Sequence, residues 1–153
     1  MILNHFSSEP FDLDYSRQYK ESSFKPNGLW LCEGDEWWAV AISGLRSAEE
    51  MKYKTSFKVD ISDVVILTNK QEIIEFHKKY KVNNSPIPFP DLLNWEAVKK
   101  DYNGILITPY NKIPILTEGY CSWHAAWDLS GGCIWNMHCL EKIDCQLVEA
   151  WKK

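Results

Sequence analysis

The chain has 153 residues, 45% of them hydrophobic and 25% charged, and a net charge of −4. That length suits a single domain over residues 1–153 with its own core, and no apolar run approaches the eighteen or so residues of a membrane span. The negative charge removes the electrostatic footprint of a nucleic-acid binder, and five cysteines without framework spacing read as reduced thiols rather than disulfides.

The opening MILNHFSSEPFDLD lacks a basic segment followed by a long apolar one, so no signal peptide is expected and the expected location is cytoplasmic. Ile2, Leu3 and Phe6 bracket Asn4 and His5 in a first predicted strand that ends at Ser7-Ser8. Residues 9–27 are polar and irregular with two prolines, a long loop of the kind that often carries function. The turn Lys25-Pro26-Asn27-Gly28 leads into a short strand, Leu29-Trp30-Leu31-Cys32. Asp35 is positioned to cap a helix of about two turns, with Trp37, Trp38, Ala41 and Ile42 at helical spacing and Gly44 as its stop.

The plainest strand follows, with Tyr53, Thr55, Phe57, Val59 and Ile61 alternating against Lys52, Lys54, Ser56, Lys58 and Asp60. Val64 to Leu67 reads as a buried strand, and Thr68 or Asn69 caps a helix through Ile73, Phe76 and Tyr80. Three prolines keep residues 82–90 irregular. Asp91 is expected to cap a second helix with Leu92, Trp95, Val98 and Tyr102 on one face. A strand over 105–108, a long irregular loop over 109–126 and a buried strand around Cys133, Ile134 and Trp135 follow, and in the tail Leu140, Ile143, Leu147 and Trp151 fit a helix while IDCQLVEAW fits an edge strand, the preferred reading. These elements predict an α+β fold with a mostly antiparallel core. A doubly wound sheet is excluded, because no glycine-rich phosphate loop is present and the alternation of strand and helix is irregular.

The chemistry-bearing stretch is WDLSGGCIWN, Trp127 to Asn136. Asp128 stands between an indole and a Ser-Gly-Gly turn. As a plain turn residue it would bond its own backbone; at the mouth of a cleft, flanking indoles exclude water and strengthen its charge. Eight tryptophans is an unusual number, and indoles suit ligand contact because they join a large flat surface to a polar handle. Cys121, His124, Cys133, His138, Cys139 and Cys145 offer soft metal ligands, but their spacing matches no paired-knuckle pattern, and no metal site is assigned. A cysteine nucleophile at Cys121 or Cys139 is discounted, since adjacent His138 and Cys139 in an extended segment face opposite ways.

The segments LNHFSS, GLW followed by a tryptophan-bearing helix, KVDISDVVIL, YNGILI and DLSGGC occur in that order over nearly the whole chain. In that order the pattern resembles the mono-ADP-ribosyltransferase superfamily of the histidine–aromatic–acid type. More narrowly, it is similar to the small phage-encoded ADP-ribosyltransferase anti-CRISPR proteins. The resemblance implies a split antiparallel β-sheet core with a few short helices and a cleft for NAD. It also implies cofactor contacts from His5, Phe6, Ser7, Gly28, Leu29, Trp30, Trp37, Trp38 and Asp128. On that reading His5 bonds a ribose hydroxyl, Trp30 stands where a tyrosine usually stacks on nicotinamide, and Trp37 or Trp38 closes the other side of the ring. Asp128 takes the hydrogen bond of the nicotinamide-ribose 2′-hydroxyl and forms the catalytic pair with His5.

The implied activity is NAD-dependent mono-ADP-ribosyl transfer to a macromolecular acceptor, a protein. The residues agree with that chemistry: breaking an N-glycosidic bond builds positive charge on the ribose, which a preplaced carboxylate stabilises, and aromatic walls suit a flat cationic ring. The chain departs from the pattern in three places. An Asp replaces the commoner Glu, Ala126 occupies the position of a second acid, and Trp30 lacks the tyrosine hydroxyl. Simple NAD hydrolysis and a catalytically inactive binding or inhibitor protein of the same fold are the alternatives.

Overall fold

A computed structural model describes the chain apart from residues 21–23, 38, 40–43, 45–47, 83–91, 115–121 and 149–153. Among the described residues seven segments are strands: β1 (Ile2–Ser7), β2 (Leu29–Cys32), β3 (Tyr53–Val59), β4 (Val64–Leu67), β5 (Gly104–Ile107), β6 (Gly131–Ile134) and β7 (Leu140–Leu147), with β3 and β4 rich in the β-branched and aromatic side chains that favour a pleated backbone. They join in one sheet of order β4-β5-β6-β2-β1-β3-β7. Only β4 and β5 run parallel; the other pairs are antiparallel. The chain is thus a mixed α+β protein with one continuous seven-stranded sheet. Among the described residues no helix is long and apolar enough to cross a membrane.

Three α-helices accompany the sheet among the described residues: α1 (Lys70–Tyr80), α2 (Trp95–Asp101) and α3 (Ser122–Ala125). Helix α1 begins where the Asn69 side chain accepts the Glu72 N–H at 3.0 Å, while the Glu72 carboxylate reaches back to the Thr68 N–H at 2.7 Å. This reciprocal capping satisfies donors that the first turn leaves open. Ile73, Phe76, His77 and Tyr80 recur three and four apart and are the buried stripe.

Helix α2 starts later than the sequence suggests. Its cap is Asn94, whose side chain accepts the Ala97 N–H at 3.1 Å, and Asp91 lies outside the described residues. The reason is a tertiary pairing: Val82 N–H donates to Leu92 O at 2.9 Å and Asn94 N–H to Tyr80 O at 2.8 Å. Leu92 and Leu93 are thereby held extended before the helix can begin. The helix expected after Asp35 is entered, with Ala39 N–H donating to Asp35 O at 3.2 Å, and Trp38 lies outside the described residues.

Alternation along the strands divides the apolar side chains between two cores. Leu67, Ile105, Ile107, Cys133 and Trp127 meet Ile73, Phe76, Tyr80, Trp95, Val98 and Trp123 of the helices. The second core contains Leu3, Leu29, Leu31, Phe57, Val59, Leu106 and Ile134, and receives Phe11, Leu13 and Tyr19 from the long loop after β1. The tail forms the edge strand β7 against β3. Ile61, which continues the apolar alternation of β3 in sequence, falls beyond the strand and is exposed.

The weakest junction in the sheet is β1 with β2, whose register rests on the single pair Asn4 and Cys32. Strand β1 is instead paired along its full length with β3. Side chains strengthen the junction: buried Asn4 donates to Gly34 O at 2.6 Å and accepts from the Ser56 hydroxyl at 2.7 Å. A buried amide left without these partners would cost about 1–3 kcal/mol.

Strand β6 passes between β2 and β5 with no room for a side chain at its first two positions. A Cβ on Gly132 would lie 1.9 Å from Ile105 O, and one on Gly131, at φ +144, would lie 2.1 Å from Leu31 O. We expect Gly132→Ala to lower stability by about 3 kcal/mol or more through overpacking, measured as a reduced urea midpoint with an unchanged slope.

Candidate functional site

The β1–β2 junction opens a hollow. His5 and Phe6 come from the end of β1, Trp30 from β2, and Trp127 from the segment ahead of β6. With Trp37, Met51, Lys25 and Glu50 they line a cavity of about 290 Å³. That lies near the small end of ordinary ligand sites of about 300–1,000 Å³. Edge-to-face contact between Trp30 and Trp127, with centroids 4.8 Å apart, fixes two of its indoles.

His5 is the titratable side chain that β1 brings to the hollow. Its Nδ1 lies 2.9 Å from Trp30 O. A carbonyl only accepts, so Nδ1 carries the hydrogen and Nε2 keeps the lone pair. Burial pushes the His5 imidazole below its ordinary value of 6.5, and the bond to Trp30 O only partly opposes that. The ring is therefore neutral at pH 7, with Nε2 able to accept a hydrogen bond. Phe11 fixes the ring from the loop side, edge-to-face at 4.8 Å.

Asp128 occupies a built turn. Its φ of 73° is left-handed, a conformation that Asp tolerates better than most residues because its short side chain can bond locally. Ser130 is the knot that holds this turn. Its N–H donates to the Glu36 carboxylate at 2.7 Å, its O accepts the Glu33 N–H at 3.0 Å, and its hydroxyl accepts the Tyr110 N–H at 3.0 Å. The Glu33 carboxylate in turn accepts the Thr108 hydroxyl at 2.5 Å. Trp127 is fixed through Nε1, which donates to Gly131 O at 2.9 Å.

The Asp128 side chain is exposed and is not among the described residues that line the hollow. It neighbours Tyr110: burial raises that phenol's pKa, a hydrogen bond from the Asp128 backbone lowers it, and the Asp128 carboxylate adds to the rise.

The other residues assigned to NAD from the sequence are distributed as follows. His5, Phe6, Trp30 and Trp37 meet at the hollow. Ser7 donates its hydroxyl to Glu9 O at 2.7 Å. Gly28 packs on β6, where a Cβ would lie 2.5 Å from Ile134 O. Leu29 is buried in the second core, on the sheet face opposite Trp30. Trp38 lies outside the described residues, as does Cys121, the candidate metal ligand and nucleophile.

Lys25, Glu50 and Met51 line the hollow without having been singled out from the sequence. Met51 had a signal, since it continues the apolar alternation of β3 two residues upstream. Among the described residues no three His, Cys, Asp or Glu side chains form a metal-holding group. Burial raises the thiols of Cys32, to about 12, and Cys139, to about 11. His138 and Cys139 belong to the 3-10 turn Met137–Cys139 rather than to an extended segment. No protein-family model matches the chain, and neither a curated protein nor a solved structure matches it.

His124 is fully buried on α3, and among the described residues neither ring nitrogen has a hydrogen-bond partner. Its pKa is lowered by burial. Below pH 6.5 the unfolded chain takes up protons at His5 and His124 that the folded chain refuses. Stability is therefore full above that pH and falls as the pH drops towards the lowered folded values. We expect the melting midpoint to fall on acidification from about pH 7.5 to about pH 5.5. His124→Leu should raise stability by about 1 kcal/mol or more, by removing an unpaired buried imidazole, and should flatten part of the pH dependence in the same melts.

Proposed function

We propose that the hollow receives the nicotinamide end of NAD and that the chain is an NAD-dependent mono-ADP-ribosyltransferase acting on a protein acceptor. The observation that carries this reading is the meeting of the His5 imidazole with the indoles of Trp30, Trp37 and Trp127 in one cavity. The residues fit the group. Flat aromatic walls suit a flat pyridinium, and the cavity of about 290 Å³ is suited to one end of the dinucleotide, with the remainder extending along the surface.

NAD would supply a ribosyl group on a cationic leaving group: the C1′–nitrogen bond breaks with its electron pair going to nicotinamide, and the acceptor's lone pair forms the new bond as its proton is lost. The chain's residues divide the remaining work. Neutral His5 accepts a hydrogen bond from a ribose hydroxyl at Nε2, while its Nδ1 stays tied to Trp30 O. Trp30, Trp37 and Trp127 orient the ring and exclude water, which strengthens each charge nearby. Asp128, the residue after Trp127 on the Ser130-held turn, supplies negative charge at the rim for the cation that develops on the sugar.

One observation favours the alternative of a binding protein with a catalytically silent hollow: the carboxylate among the described lining residues is Glu50, and Asp128 is outside that lining. The two readings separate on chemistry. The transferase should release nicotinamide from NAD and add one ADP-ribose mass to a co-expressed protein. Asp128→Asn should lower that release by about 100-fold while melting as the wild type does, and His5→Ala should lower it comparably while also melting at a lower temperature, since it loses the bond to Trp30 O. No release by the wild type, alone or with lysate, overturns the transferase in favour of the binding protein.

A further inference from the structure

Lys25 Nζ lies 5.1 Å from the centroid of the Trp30 ring, and both side chains line the same hollow. An ammonium within about 6 Å of an indole face is held by the ring's quadrupole, more firmly where water is excluded. Three indoles, the Phe6 ring and the Glu50 carboxylate share the lining, so the hollow favours positive charge, and the chain's own lysine supplies one.

The lysine is also placed to leave. Buried Pro26 anchors the backbone directly after it, and the Pro26 carbonyl accepts from the Cys133 thiol at 3.5 Å. The flexible four-carbon stem of Lys25 can therefore swing from a fixed root.

We infer that Lys25 is the resident occupant of a cation subsite on Trp30, and that a ligand must carry its own positive charge, as a pyridinium or quaternary ammonium does, to displace it. A neutral ring of the same shape has no charge to exchange for the lysine's and gains less on Trp30. Lys25 thus sets specificity for cationic over neutral rings and holds the subsite closed until a cation arrives. This inference rests on the NAD reading for its choice of probe, but its test does not require catalysis.

The probe is 1-methylnicotinamide, a permanent pyridinium with no ribose to cleave, titrated by calorimetry and tryptophan fluorescence, with neutral nicotinamide in parallel. Lys25→Met, which keeps the stem and removes the charge, should bind the pyridinium about three- to tenfold tighter than the wild type. Lys25→Arg should bind it as the wild type does, Glu50→Gln should bind it more weakly, and neutral nicotinamide should change less across the series. Matching melts confirm that each variant is folded. Equal pyridinium affinity in the wild type and Lys25→Met, or no saturable binding in any variant, overturns the inference. Tighter binding without nicotinamide release from NAD leaves it standing and sinks the transferase; release from NAD with equal affinities does the reverse.

Discussion

The molecule depends on how β1 is joined to β2. A ladder between them would be self-sufficient, but the register contains one pair, Asn4 with Cys32, and side chains complete the seam. Asn4 bridges Gly34 O and the Ser56 hydroxyl, and His5 uses Nδ1 on Trp30 O, where a continuing ladder would have used backbone. Because hydrogen bonds in a buried setting are costly to leave unmade, these contacts fix the two halves of the sheet. The hollow lies at this seam because the strands part there. The histidine of the candidate site is therefore a structural stitch as well as a polar group lining the hollow.

A second set of polar contacts holds the opposite side of the hollow. Ser130 ties the turn carrying Asp128 to Glu33, Glu36 and Tyr110, and the Trp127 indole is bonded into β6. Both Glu carboxylates accept hydrogen bonds from within the chain, at Thr108 and at Ser130. They act as rivets for the loop rather than as charges offered to solvent. A rim on fixed supports and aromatic walls with few rotatable bonds is the kind of preorganisation on which charge stabilisation in a cleft relies.

Much of the fold was legible because it follows short-range rules. The period-two alternation from Tyr53 to Val59, the apolar run from Val64 to Leu67 and the Ile73, Phe76, Tyr80 stripe each specify their element directly. What sequence missed depended on distant partners. Asn94 caps α2 because Leu92 and Leu93 are pinned to the chain around Lys81, a pairing that no local pattern announces. At the site, His5, Trp30 and Trp37 were legible by type and order, whereas Lys25 and Glu50 were not: a lysine before a proline and a glutamate in a 3-10 turn look like surface until the sheet brings them to one cavity. Leu29 is placed elsewhere: its side chain is buried in the second core and is not among the described residues that line the hollow, whereas its neighbour Trp30 packs towards the first core and lines it.

The two cores are enclosed by different means. Helices cover one, each with an internal hydrogen-bond ladder that keeps its shape. Phe11, Leu13 and Tyr19 cover the other from a segment without regular structure, whose apolar anchors hold it like studs on a strap. Such a covering can lift one stud at a time without melting any strand. The first anchor, Phe11, also rests on the His5 ring, so lifting the strap at that end uncovers one side of an imidazole that stays tied to Trp30 O.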